Sequence, residues 1–211
     1  MSEKTIYKIL TESGMTPEGA CGMLGNMMAE SSLKANIAQR GMTKLTDEEY
    51  TAKFDRAPET CYRDGVGFGY FQYTFWSRKK GLWEEAQRLG DSVGDEEVQL
   101  SYALRELKTE FSGLWDFLCK TDDLYAATDR ICREFERPAV NNVDRRYTFA
   151  EDFYSRLAQK PEPKKAEFPP DPSIAVLQMV LTYNGYQAEI TGHKSTQFLK
   201  TLRQFVADIG G

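Results

Sequence analysis

A carboxylic acid stands at the end of an apolar run in MLGNMMAESS, residues 23–32. On a helix, Glu30 lies one and two turns from Asn26, Met27 and Met23. It also falls in the last turn, at the negative end of the helix dipole. An apolar setting and that dipole both disfavour the ionised form. A carboxyl kept protonated near neutral pH is what a general acid requires. The other reading is a solvated residue at a frayed helix end. A second stretch, DGVGFGYFQYTFWSR (64–78), carries Gly65, Gly67 and Gly69, then Tyr70, Phe71, Tyr73, Phe75 and Trp76 around Gln72. Alternating glycines permit close backbone approach. Flat aromatic faces beside an amide suit a sugar-binding cleft, and the same residues also suit a hairpin packed on a core. Asp64 is the candidate second carboxylate. An inverting glycosidase sets a water-activating carboxylate about 6.5–9.5 Å from its acid, a retaining one nearer. Asp64-Gly65 is equally a common turn pair. Asp55 and Glu59, in the same loop region, are weaker candidates.

Composition narrows the alternatives. The chain has 211 residues, 41% hydrophobic and 28% charged, as in a globular protein of one domain or one domain plus a small module. A net charge of −5 gives no electrostatic footprint for nucleic acid. No apolar run approaches the ~20 residues of a membrane span, so no membrane partner is expected. The four cysteines, Cys21, Cys61, Cys119 and Cys132, form no CxxC pair and read as free, packed thiols. With His193 the single histidine, neither a zinc site nor any other metal or cofactor is expected. A Ser–His–Asp or Cys–His mechanism would have to use that one histidine, so hydrolytic chemistry falls to carboxylates. The N-terminus MSEKTIYKIL lacks the apolar core and cleavage site of a signal peptide, which predicts synthesis in a cytosol.

The elements that must position these residues read as helices. Amphipathic spacing predicts a helix over 3–13. Thr16-Pro17 opens a helix to about Ser31, and Thr46, with Glu49 at the capping-box position, opens 47–54. Residues 55–70 read as loop with room for short strands. Further helices are expected over 76–89, from Asp95 to near Phe111, from Asp123 to Phe135, and over 143–159. Five prolines within 160–172 make a linker. It separates a catalytic domain, 1–159, from a small module, 173–211. That module carries two helical pieces, 173–183 and 195–209, separated by the stop signal Asn184-Gly185.

Three blocks now carry a resemblance. GACGMLGNMMAES, GFGYFQYTFWSRK and EFERPA, followed by Arg145 or Arg146 and Ala150, resemble in order the phage tail-lysozyme and endolysin family. The first two blocks are more distantly similar to the Glu-Ser and Gly-Leu-Met-Gln motifs of goose-type lysozymes and lytic transglycosylases. The blocks cover about 16–157. The resemblance implies a mainly α, lysozyme-like fold that cleaves the β-1,4 bond between N-acetylmuramic acid and N-acetylglucosamine in peptidoglycan. It implies Glu30 as the general acid, with Ser31 beside it. Gly69, Tyr70, Phe71 and Gln72 fill the Gly-Leu-Met-Gln slots, with Tyr73 and Trp76 extending an aromatic sugar subsite. Tyr70 and Phe71 depart from Leu and Met. Asp64 matches an acid before the glycines, one residue out of register, and Thr74 stands where goose-type enzymes carry a second acid. Glu136 is either a third active-site acid or a structural partner of Arg137 or Arg145.

The tail is similar to a truncated peptidoglycan-binding domain through Leu177-Gln178, Gly185-Tyr186, Thr196 and Phe205, with Thr191-Gly192 in place of Asp-Gly. Wall binding and self-association are both open to it. The implied protein is a phage endolysin that reaches the wall after release from the host cytoplasm. A lytic transglycosylase giving 1,6-anhydro products, or a non-catalytic wall-binding or tail structural protein, is the competing expectation.

Overall fold

Most of the longer helices begin where a side chain can accept from the first free amides, the helix Trp76–Leu89 being uncapped. The computed structural model describes residues 1–138, 140, 142–158, 172–186, 188 and 196–209, and the chain is mainly helical. It divides into two compact units, Met1–Gln159 and Lys160–Gly211. Of the proline-rich linker, 160–171 lie outside the described residues, as do Thr191-Gly192 and His193. In the first unit Ser2 caps α1 (Glu3–Glu12) and Thr16 caps α2 (Pro17–Ser31). Thr46 and Glu49 form a reciprocal capping box on α3 (Asp47–Arg56). Asp95 caps α6 (Glu96–Thr109) and Asp123 caps α8 (Leu124–Arg130). Each such cap contributes about 1 kcal/mol. Between them lie α4 (Glu59–Tyr62), α5 (Trp76–Leu89) and α7 (Ser112–Leu118), and α9 (Val143–Phe153) follows. The short α4 and α7 have no side-chain cap, so their starts carry no sequence signal.

The α2 helix is the axis of this unit. Ten of its residues are buried, on every face rather than along one stripe. Two glycines explain how. A Cβ at Gly25 would lie 2.6 Å from the Arg146 carbonyl oxygen, and one at Gly22 only 3.1 Å from the Thr128 amide. Bare backbone at these points lets α8 and α9 lie directly on α2, its most extensive packing. Asn26 locks the arrangement: its buried Nδ2 donates to Gly22 O (2.9 Å) and Thr128 O (3.1 Å).

No strand forms among the described residues. The loop before α5 makes a single antiparallel bridge, Ala38 to Phe68. Gln39 N donates to Gly67 O (2.8 Å), Gly69 N to Ile37 O (2.9 Å), and Phe68 and Tyr73 exchange two bonds. Below the bridge, Tyr50, Phe54 and Phe68 pack ring against ring, with centroids 5.4–6.3 Å apart.

In the second unit α10 (Pro172–Tyr183) ends at Gly185, whose φ of +83° is the left-handed cap, and α11 (Thr196–Ile209) follows. Ile174, Leu181 and Phe198 form its small core, with Tyr186 set edge-on to Phe205.

Candidate active site

Beyond Ser31 the chain turns sharply. Ser32 and Leu33 both adopt left-handed backbone, φ 54° and 58°. For residues other than glycine this costs on the order of 1–3 kcal/mol each, and such strain concentrates at working sites. The reversal leaves Glu30 at the helix exit, on the wall of a cleft of about 1120 Å3. Small-molecule pockets span ~300–1,000 Å3, so this one suits an extended ligand. Its lining runs from Glu30–Ser32 through 37–40, Met42 and Gly65 to the loop 71–75, and then to Arg78, Phe111 and 135–138.

Glu30 is ion-paired with Arg146 of α9 through Oε1 and Nη2. The Arg146 Nη1 donates to Asn26 Oδ1 at 3.1 Å, so one guanidinium ties Glu30 to the buried axis. Of the two arginines offered by the third block, 145 and 146, it is Arg146 that reaches the cleft carboxylate. Ser31 is buried and its hydroxyl donates to Met27 O (2.9 Å), bracing the last turn rather than facing outward.

Across the cleft, Gln72 has φ +47° and donates from Nε2 to Gly69 O (3.0 Å) and Ile37 O (3.3 Å). It therefore staples the two sides of the bridge while lining the cleft. Gly69 is required for space: a Cβ there would come within 2.3 Å of the Gln99 side chain, which accepts from Tyr70 N. The aromatic run divides by depth. Tyr70, Phe71 and Tyr73 are core residues, whereas Phe75 is 63% exposed and lines the cleft. Trp76 is exposed beside Arg63 and does not line the cleft.

Glu136 reaches the cleft from a π-helical segment, Ile131–Glu136, that continues α8. The extra residue per turn re-aims the end of the helix, and π-bulges are frequent at functional sites. Arg137, with φ +53°, closes the segment. Burial, then the nearby charge of Glu30, push the Glu136 carboxyl well above the usual carboxylate range, against the pull of Arg78 and Arg146. Its Oε1 lies out of solvent with no hydrogen-bond partner among the described residues. Arg78 is engaged elsewhere. It holds Glu106 with both Nε (2.6 Å) and Nη2 (2.7 Å), donates to Phe135 O (2.9 Å), and lies between the Tyr73 and Phe135 rings. Sequence reasoning passed over Arg78 and Asn26. A polar residue on a helix buried all round was the available signal for Asn26.

Asp64 stands apart from these groups. It does not line the cleft. Its oxygens accept from Lys79 Nζ (2.8 Å), Tyr50 OH (2.8 Å) and Val66 N (3.0 Å). Burial works against its carboxylate, but the Lys79, Val66 and Tyr50 hydrogen bonds outweigh it and hold the pKa below the usual value. At Lys79 the balance reverses: burial prevails over Asp64 and lowers the ammonium pKa. Asp55 is likewise occupied, accepting from Ser92 Oγ and Val93 N.

The sequence profile of the phage tail lysozyme family matches residues 2–157, all of the first unit but its first residue and its last two. The chain belongs to that family. No match was found among curated proteins. Membership points to a peptidoglycan-lytic enzyme. The phage lysozyme cleft thus gathers Glu30, Ser31, Phe71, Gln72, Tyr73 and Glu136, and leaves Asp64, Gly69, Tyr70 and Trp76 outside its lining.

Proposed function

We propose that this phage lysozyme cleaves the β-1,4 bond between N-acetylmuramic acid and N-acetylglucosamine, as a muramidase of the endolysin type. Glu30 protonates the glycosidic oxygen. Gln72 holds the loop that faces it, and Phe75 offers a ring for a sugar to stack on. The observation that carries the reading is one cleft, large enough for a glycan strand, with the Glu30 carboxyl on its wall. The enzyme would act on the wall after release from the host cytoplasm. The test is digestion of purified cell walls followed by mass spectrometry. Reducing N-acetylmuramic ends are expected, and Glu30→Gln should yield none.

One observation favours a second reading. Asp64, the candidate water-activating carboxylate, is held by Lys79, Tyr50 and Val66 and does not line the cleft. A lytic transglycosylase needs no such group, because the sugar's own 6-hydroxyl closes the ring. The same spectra decide: 1,6-anhydro ends in place of reducing ends assign the transglycosylase.

A further inference from the structure

Around Glu136 the charges do not balance as drawn. The groups that face it are Glu30 at the end of α2, Arg78 of α5, Glu106 of α6, Arg146 of α9, Tyr73 of the cleft loop and, on its own π segment, Cys132. Arg78 is neutralised by its two-pronged bond to Glu106. Arg146 is matched by Glu30. Two guanidiniums therefore face three carboxyls, and Glu136 is the one left over, with Oε1 out of water and without a partner among the described residues. An isolated carboxylate in such a place costs several kcal/mol or more, and the general remedy is to bind a proton. Two carboxyls that line one cleft and feel each other's charge share that remedy: the first proton belongs to the pair.

We propose that Glu136 is a positioning residue for the reaction: with Glu30 it forms a carboxyl pair on the cleft wall that retains one proton, which Glu30 delivers to the glycosidic oxygen. The step balances. The O–H bond breaks as the leaving oxygen takes the proton, the glycosidic C–O bond breaks with its electron pair going to that oxygen, the anomeric carbon is left as an oxocarbenium ion that water or the sugar's own 6-hydroxyl captures, and the pair becomes doubly anionic. Arg146 then faces the charge that develops. This role rests on the glycosidase reading above.

The experiment is the pH dependence of wall lysis by Glu136→Gln, a neutral isostere. In the native enzyme activity ends on the alkaline side where the pair loses its last proton. Without the second carboxylate that proton is held less tightly. The alkaline limb is expected to move about one pH unit toward acid, with kcat down about tenfold at pH 7 and apparent KM unchanged. An unmoved limb in a variant with native circular dichroism and melting overturns the proposal. A carbon-13 titration of the glutamate carboxyls in the free native enzyme covers a variant that fails to fold. One carboxyl of the Glu30–Glu136 pair is expected to titrate well above the ordinary ~4.3, and two ordinary titrations overturn the pair. If the native enzyme releases no sugar ends from walls, the glycosidase reading fails, and the titration alone still decides whether the pair exists.

Discussion

Glu30 and Asp64 are the same kind of residue in the same kind of place, yet they behave differently. Their side chains are 19% and 18% exposed, and each is ion-paired to a buried cation, Arg146 and Lys79. What separates them is how far their oxygens are used. Asp64 accepts from an ammonium, a phenol and an amide, and Lys79 also donates to Tyr50 OH (2.7 Å) and Val66 O (2.8 Å). That knot is closed. Among the described residues the bond to Glu30 comes from Arg146 alone, and the carboxyl lines a cleft. Burial does not distinguish the two carboxylates; acceptor capacity left facing the cleft does.

The comparison can be broken by substitution, and the largest effect is expected at Glu30. Glu30→Gln should reduce wall lysis by at least ~1,000-fold, about 4 kcal/mol of transition-state stabilisation. Its melting temperature should stay within a few degrees of native. Asp64→Asn should do the reverse. Removing the anion strands the Lys79 charge, which costs about 3 kcal/mol of unfolding free energy in urea, while lysis at 25 °C stays within about tenfold of native. A stable Asp64→Asn protein that no longer lyses walls would return Asp64 to catalysis.

The same pair sets a pH signature. The Asp64 pKa is lower folded than unfolded, so its contribution is present above the unfolded value of about 3.9 and is lost as pH falls through the folded value. Urea midpoints of the native protein should fall across that acid window more steeply than those of Asp64→Asn.

Smaller effects sharpen the contrast. Gly25→Ala drives a methyl into the Arg146 carbonyl, and overpacking of this kind costs about 2 kcal/mol. Because it displaces the partner of Glu30, activity should fall along with stability. The smallest change is expected at Phe75, whose ring is exposed and lines the cleft without joining the core. Phe75→Ala should raise apparent KM a few-fold, about 0.5–1 kcal/mol, with kcat and melting unchanged.

Much of this was legible in the sequence, because it is written in local signals. The caps at Thr16, Thr46, Asp95 and Asp123 each announce a helix, and each helix begins there. Glu30 was found by its position at the end of an apolar run. The reason offered, an apolar neighbourhood, was incomplete, since a guanidinium from a helix 116 residues away in the chain meets it. Pairings of that length leave no periodic trace. The sequence offered Glu136 as a third active-site acid or a structural partner of Arg137 or Arg145, and only the structure aims it at the cleft. A π turn changes which way a helix end points, and no residue type marks it. The aromatic run left a sugar platform and a core-packed hairpin both open; the turn with positive φ at Gly69 and Gln72 buries Tyr70, Phe71 and Tyr73 and leaves Phe75 out.

The Ala38–Phe68 bridge has one more consequence. Ala38 N also donates to Asp47 Oδ1 at 3.0 Å, and the Thr46 capping box restarts the chain immediately afterwards. Residues 39–46 are thus pinched at the neck and free at the tip, where Met42 is 54% exposed while also lining the cleft. The segment overhangs the cleft as a visor. A change in its length or composition would reshape that edge of the cleft and leave the α2 axis and the carboxyl at its end as they are.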